Sequence, residues 1–280
     1  MSAFNCRRVV LVVLDGLRPD AIDAFSLSHV RALELAGAST RSARTVLPSV
    51  TAAAMGSLFS GVPPQTHGFV TDRFHLPRPT GAVHPLPAVL RDAGMITSAF
   101  LAQPPVLYRL LARALADRLG VSSPHFVGQA APEIVSAARD TLRTQQTGLI
   151  VFHLPDADQA GHAHGWMSAQ YASAARRLDD ATGVISEQAL DSGAADTLLI
   201  VCADHGGGGA VSNDHDSAHP LDCTIPIVMA GAGVQAGSLL LDATLLDIPA
   251  TILAALRVRC PASYTGRSLI EAVQQMEHAA

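Results

Sequence analysis

Residues 9–16 read Val-Val-Leu-Val-Val-Leu-Asp-Gly, six apolar residues that stop at an acid and a glycine. A continuous run of β-branched residues and leucine is the pattern of a strand buried on both faces of a parallel sheet. Three further runs behave alike. Residues 149–154 end at Pro155-Asp156, residues 197–203 run into Asp204-His205-Gly206, and residues 225–230 end at Gly231. Residues 96–102 form a weaker strand pattern. Helical patterns lie between them, over 21–36, 51–59, 86–93, 105–119, 131–143, 169–190 and 247–256. This alternation predicts an α/β fold with a mostly parallel central sheet sandwiched by helices.

The chain has 280 residues, 49% hydrophobic, 15% charged and 4% aromatic. Soluble domains average about 25% charge, so this chain is apolar and cannot be generally disordered. Its core must be built from Ala, Val, Leu and Ile. The length suits a single domain over 1–280 with a minimal cap, and 69–147 reads as a variable insertion that contacts substrate. The irregular, Pro-rich stretch 74–87 lies within it.

Lys and Arg total 19 and Asp and Glu total 24, a net charge of -5. That balance offers no groove for a nucleic-acid polymer. Cys6, Cys202, Cys223 and Cys260 form no CxxC pair and read as thiols of a reducing, cytoplasmic compartment, with a Cys202–Cys223 disulfide left open. The apolar run 9–14 is shorter than the about 7–15 residues of a secretory core and ends in Asp, and no span reaches the about 20 apolar residues of a membrane helix. Neither a secretion signal nor a membrane partner is expected, and the oligomeric state is open.

Ligands of open α/β sheets bind beyond the carboxyl ends of the strands. Here those ends carry Asp15, Asp156 or Asp158, and Asp204 with His205. A lone acid at such a position is an ordinary helix cap, but several of them beside histidines suggest a metal site. Asp158-Gln-Ala-Gly-His162 can fold two donors onto one cation, with Asp156 and His164 as competing donors. Asn213-Asp-His215-Asp-Ser-Ala-His219 is equally rich in donors. Thr51 opens a helical run, where free backbone N–H groups attract phosphate. It is the candidate nucleophile, with an N-cap as its plain alternative and Ser49 and Thr45 as competing hydroxyls. Two cations about 4 Å apart are a known solution for phosphoryl transfer.

In order along the chain, VVLVVLDGLRPD, PSVTAAAMGSLFSGVPPQTHG, PDADQAGHAHG, IVCADHG and HDSAHPLDCTIPIVMAGAGV resemble the alkaline phosphatase superfamily, nearest its type I phosphodiesterase/nucleotide pyrophosphatase branch. The resemblance runs over about 9–269 and closes on LLDIPATILAAL…YTGRSL. It implies an alkaline phosphatase-like domain that hydrolyses small phosphoric esters through a phospho-threonine. Two divalent metal ions, Zn with Mn as the alternative, would be held in two groups. Asp15, Asp204, His205 and the nucleophile hold one; Asp158, His162 and a late His hold the other. Family spacing puts the nucleophile ten residues before Gly61, at Thr51, and the last ligand about ten before Ile225, at His215 rather than His219. His67 would close the turn after the nucleophile's helix. The chain departs from the branch where Ala52-Ala53-Ala54 replaces an asparagine that touches phosphate, which weakens a nucleotide substrate. Phosphonate and phosphomonoester hydrolysis are the alternatives. Arg73, His75, Tyr108, Arg109 and Arg113 are unassigned substrate-contact candidates. Trp166 and Tyr171 belong either to the mouth of the site or to the core.

Overall fold

The computed structural model describes residues 6–73, 75, 77–190 and 196–270. Its strands are β1 (Arg8–Leu14), β2 (Ala38–Arg44), β3 (Thr97–Leu101), β4 (Ser123–Phe126), β5 (Gly148–Leu154), β6 (Thr197–Cys202), β7 (Thr224–Gly231) and β8 (Ser238–Leu239). The helices are α1 (Ala21–Ala24), α2 (Ser28–Ala36), α3 (Thr51–Leu58), α4 (Pro64–His67), α5 (Leu86–Asp92), α6 (Arg109–Leu119), α7 (Ala131–Thr144), α8 (Asp156–His164), α9 (Ala169–Leu190), α10 (Pro220–Cys223) and α11 (Asp247–Ala255). The strands form one sheet in the order β4-β3-β5-β1-β6-β7-β2-β8.

β1 is the sheet's axis. All seven of its residues are buried, and β5 and β6 flank it in parallel. Its apolar run needs no alternation because helices cover both faces. Only β7 runs against the others, antiparallel to both β6 and β2. Cys202 at the end of β6 pairs with Ile227 near the start of β7. The connection 203–223 therefore stays over the carboxyl end of the sheet instead of crossing its length. Loop donors placed there face the ends of β1 and β5.

The other end of β1 is sealed by Arg8, which is 5% exposed. Its guanidinium donates to the carbonyls of Leu142 at 2.8 Å, Gln145 at 3.0 Å and Ala189 at 3.1 Å, and to Thr197 Oγ1 at 3.1 Å. One side chain thus fastens α7, α9 and β6 to the central strand. Arg8→Met would keep the stem and strip every donor, leaving buried carbonyls unpaired. A loss of about 3 kcal/mol in a urea titration is expected; a loss under about 1 kcal/mol would mean that water replaces the guanidinium.

Several elements differ from the sequence expectation. Residues 21–36 split into α1 and α2, because the chain turns at Ser26 with φ 53. β2, Ala-Ser-Thr-Arg-Ser-Ala-Arg, has no apolar run and was not expected; ladder hydrogen bonds to β7 make it a strand. The stretch 69–147 is not one insertion. β3 and β4 extend the sheet beyond β5, and α7 packs on β3 and β5. β4, Ser-Pro-His-Phe, is too short and polar to read as a strand. Among the described residues, 69–73, 75 and 77–85 carry no helix or strand. Residues 74 and 76 of the Pro-rich loop lie outside the described residues.

Candidate metal centre

Three acids stand at three adjacent strand ends. Asp15 follows β1, Asp158 lies in the first turn of α8 just after β5, and Asp204 follows β6. Backbone bonds draw them together. The Asp15 amide donates to the Leu154 carbonyl at 3.0 Å, and the Asp158 amide donates to the Asp15 carbonyl at 3.0 Å. Gly16 N–H donates to Asp204 Oδ1 at 3.1 Å. Gly16 has φ +69, and a Cβ there would sit 2.9 Å from Asp158 Cα, so only glycine fits the Asp-Gly turn. Trp166 Nε1–H and the Tyr171 hydroxyl both donate to the Gly16 carbonyl at 2.9 Å. Both rings are buried, so they brace this turn from the core.

The residues read as a donor loop, Asp158 to His162, are one turn of α8. Four-residue spacing puts both side chains on one helix face. His162 Nε2 lies 3.4 Å from Asp158 Oδ1, and His215 Nε2 lies 3.5 Å from the same oxygen. His205 Nε2 is 3.2 Å from Asp15 Oδ1 and 3.5 Å from Asp204 Oδ2. Thr51, the first residue of α3, places Oγ1 3.0 Å from His205 Nε2. All seven residues singled out from sequence therefore lie in one continuous cluster.

The histidines are oriented alike. His162 Nδ1 faces the Asn213 carbonyl at 3.0 Å, His205 Nδ1 the Gly206 carbonyl at 2.8 Å, and His215 Nδ1 the Ser49 carbonyl at 2.7 Å. A carbonyl only accepts, so each Nδ1 carries the proton, and each Nε2 turns toward the acids. His162 Nε2 and His215 Nε2 end up 3.1 Å apart. Two atoms each about 2.1 Å from a tetrahedral ion lie about 3.4 Å apart, close to every separation in the cluster. Asp158–His162–His215, Asp15–Asp158–His205 and Asp15–His153–Asp204 are each near enough to share an ion.

His153 was not foreseen. It lies inside β5, hidden in an apolar run, and the register Val13↔His153 sets it beside Asp15. Its Nε2 is 3.2 Å from Asp15 Oδ2. The only available signal was a lone imidazole in an otherwise apolar strand. Asp15 Oδ1, His153 Nε2, Asp158 Oδ1 and Asp204 Oδ2 are all buried without a hydrogen-bond partner. Native structures rarely leave buried polar atoms orphaned, and here four such atoms converge. Oxygen and imidazole donors of this kind suit a divalent cation such as Zn or Mn.

The charges point the same way. Burial, then the charge of Asp15, pushes the Asp158 carboxyl up to about 8 and the Asp204 carboxyl up to about 6. Burial also opposes charge on Asp15, but His153 and then His205 pull it well below the usual carboxylate range. Burial disfavours the His205 cation, yet Asp204 and Asp15 hold its pKa well above the ordinary value. His215 moves down, through burial and then the charge of His205. Three carboxyls this close ionise together only at raised pH unless positive charge is added.

A pH dependence follows. Above their ordinary 3.8 the unfolded chain has released the Asp158 and Asp204 protons, whereas the metal-free fold retains them. Raising pH from about 4 up to 6 for Asp204 and 8 for Asp158 therefore costs the metal-free fold stability, and the elevated His205 works in the same direction. A divalent cation removes that cost. The rise in Tm on adding Zn or Mn should grow from about pH 5.5 to about pH 8.5. A rise independent of pH in a thermal melt would show that these carboxyls do not meet the ion.

The competing donors are engaged elsewhere. Asp156 accepts from the Ala131 amide at 2.7 Å and from Arg177 Nε at 3.0 Å, anchoring α7 and α9. His219 caps α10 by accepting from the Leu221 amide at 3.2 Å, and His164 is exposed. The Ser49 hydroxyl donates to the carbonyls of His215 and Ser217, so it orients the His215 loop and turns away from the acids. Thr45 Oγ1 donates to the Asp204 carbonyl. His67 accepts from the Phe69 amide at 3.1 Å and closes the turn after α4. Arg109 and Arg113 lie exposed on α6. All four cysteines are free.

Residues 116–259, just over half of the chain, match the family described as the metalloenzyme superfamily. The chain belongs to that superfamily. Residues 9–123 match the type I phosphodiesterase/nucleotide pyrophosphatase family. Among curated proteins, the 2,3-bisphosphoglycerate-independent phosphoglycerate mutase of Gluconobacter oxydans (strain 621H) is 30% identical over 145 residues, 50% of this chain and 27% of the mutase. The chain thus matches about a quarter of that relative's length. Two solved structures share the fold. The phosphonate monoester hydrolase of Silicibacter pomeroyi superposes with a TM-score of 0.70 at 14% identity, covering 96% of this chain and 77% of that one. Murine ectonucleotide pyrophosphatase/phosphodiesterase 5, in an inactive threonine-to-alanine form with AMP, gives 0.71 at 12% identity, covering 93% and 97%. This superfamily member therefore has the alkaline phosphatase-like fold expected from its motifs. No helix of the described residues is long and apolar enough to cross a membrane.

Proposed function

We propose that the chain is a two-metal hydrolase of small phosphoric esters, acting on phosphodiesters through Thr51. One observation carries this reading. His162 Nε2 and His215 Nε2 face each other at 3.1 Å with both Nδ1–H groups committed to carbonyls, an arrangement that a shared cation satisfies. Asp158, His162 and His215 would hold one ion, and Asp15, Asp204, His205 and Thr51 the other. Zn is proposed, with Mn as the alternative. Such a pair supplies positive charge for the phosphoryl oxygens and lowers the pKa of a coordinated hydroxyl.

The chain's own groups do the rest. Thr51 Oγ attacks phosphorus in line, and its proton passes to solvent. The new P–O bond forms as the bond to the leaving oxygen breaks, and that oxygen takes a proton from water. A second water cleaves the phospho-threonine, and Thr51 regains its proton. Thr51 starts α3, whose N-terminal amides can meet a non-bridging oxygen. The type I phosphodiesterase match over 9–123, which contains Thr51, supports the diester, as does the inactive threonine-to-alanine form of the murine neighbour.

Phosphonate or phosphomonoester hydrolysis on the same site is the second reading, favoured by the phosphonate monoester hydrolase neighbour. Four free thiols support a cytoplasmic setting. Metal-loaded protein should cleave bis-p-nitrophenyl phosphate faster than p-nitrophenyl phosphate. The reverse order would favour a phosphatase, and no cleavage of either with two ions bound would reject the phosphoric-ester reading and leave phosphonates to be tried.

A further inference from the structure

The amide next to Thr51 is already in use. Ala52 N–H donates to Asp72 Oδ1 at 2.7 Å, and α3 has no cap from its own N-terminal residue. Asp72 is exposed and has no ion-pair partner among the described residues.

The loop that carries Asp72 is held in place. Thr80 N–H donates to the Thr66 carbonyl at 3.0 Å, and the Thr80 hydroxyl donates to the Gln65 carbonyl at 2.7 Å. His75 meets the Arg73 and Gly68 carbonyls, each at 3.0 Å. At Gly68, with φ +85, a Cβ would lie 2.7 Å from the Arg78 amide, so the turn packs directly on the returning strand of the loop. The carboxylate is thus delivered to the helix start by a folded loop.

We propose that Asp72 sets the charge class of the substrate, admitting singly charged phosphodiesters and turning away doubly charged monoesters. The inference rests on the hydrolase reading above. A phosphoryl group reacting with Thr51 brings a non-bridging oxygen toward the same N-terminal amides. It must displace the Asp72 carboxylate or lie beside it. Each additional negative charge on the phosphoryl group raises the repulsion from a carboxylate a few ångströms away. A diester carries one such charge and a monoester near pH 8 carries two.

The test compares Asp72→Asn and Asp72→Ala with the parent, all metal-loaded. Asparagine keeps an oxygen that can accept from Ala52 but removes the charge. With p-nitrophenyl phosphate, kcat/KM should rise about tenfold in both variants, while bis-p-nitrophenyl phosphate, with half the charge, should rise only about threefold. The parent's preference should also narrow at about 1 M salt, because an exposed charge is screened there. A purely structural cap would move neither the ratio nor its salt dependence. Turnover of both substrates with an unchanged ratio overturns the proposal and leaves the hydrolase intact. If the parent cleaves neither, the phosphoric-ester reading fails, and calorimetry with inorganic phosphate still decides on Asp72. Tighter phosphate binding by Asp72→Asn supports it, and equal binding overturns it.

Discussion

Thr51→Ala should abolish ester cleavage, by at least about 10³-fold in kcat, while the protein still binds two equivalents of metal. The hydroxyl lies 3.0 Å from His205 Nε2, yet the acids and imidazoles around it are fixed by other contacts. Asp15 is tied to β5 and α8 through backbone bonds, Asp204 to Gly16, and His205 to its own loop. Removing one methyl and one hydroxyl from a half-buried position leaves those ties intact. Elemental analysis of the variant should match the parent, and a covalent phosphoryl adduct should form only on the parent. Activity within about tenfold of the parent would move the nucleophile elsewhere, most simply to an activated water.

Asp158→Asn should have the opposite profile, losing metal while the metal-free fold gains stability. Asp158 belongs to two of the three groups of donors near enough to share an ion. Its carboxyl is forced up to about 8 by burial and by the Asp15 charge, so the metal-free fold holds it at a cost. Asparagine removes the charge but keeps the size. The metal-free Tm should rise above the parent's at pH 8, and the increase on adding Zn should largely vanish. Loss of a ligand and its charge typically weakens binding by about 10²-fold or more. Undiminished metal content by elemental analysis would show that the centre does not depend on Asp158.

Most of the frame was legible because buried parallel strands leave an unambiguous apolar signature. Residues 9–14, 149–154 and 197–203 announced β1, β5 and β6, and the acids at their ends announced the site. β2 and β4 were illegible for a physical reason. A strand paired by its backbone needs no apolar side chains where one face is wet or its length is four residues. His153 was illegible because a strand's side-chain direction depends on register with a partner 140 positions away, as Val13 pairs with it. Asp72 was illegible because nothing local shows that a loop will fold back onto the start of α3. The sequence separated His215 from His219 only through family spacing, whereas the fold separates them by the hydrogen bond from His215 Nδ1 to Ser49.

The Gly16–Asp204 hydrogen bond closes a chain separation of 188 residues, and it forms only when β1 lies between β5 and β6. The other bond between these acids, from the Asp158 amide to the Asp15 carbonyl, also joins distant parts of the chain, so neither contact is local. Long-range pairings of this kind come late in folding, after the entropy of large loops has been overcome. An ion held between Asp15 and Asp204 would recognise only β1 already joined to β6, so it cannot act as a nucleus for the chain. Its effect falls on how long the native state survives rather than on how fast that state is reached.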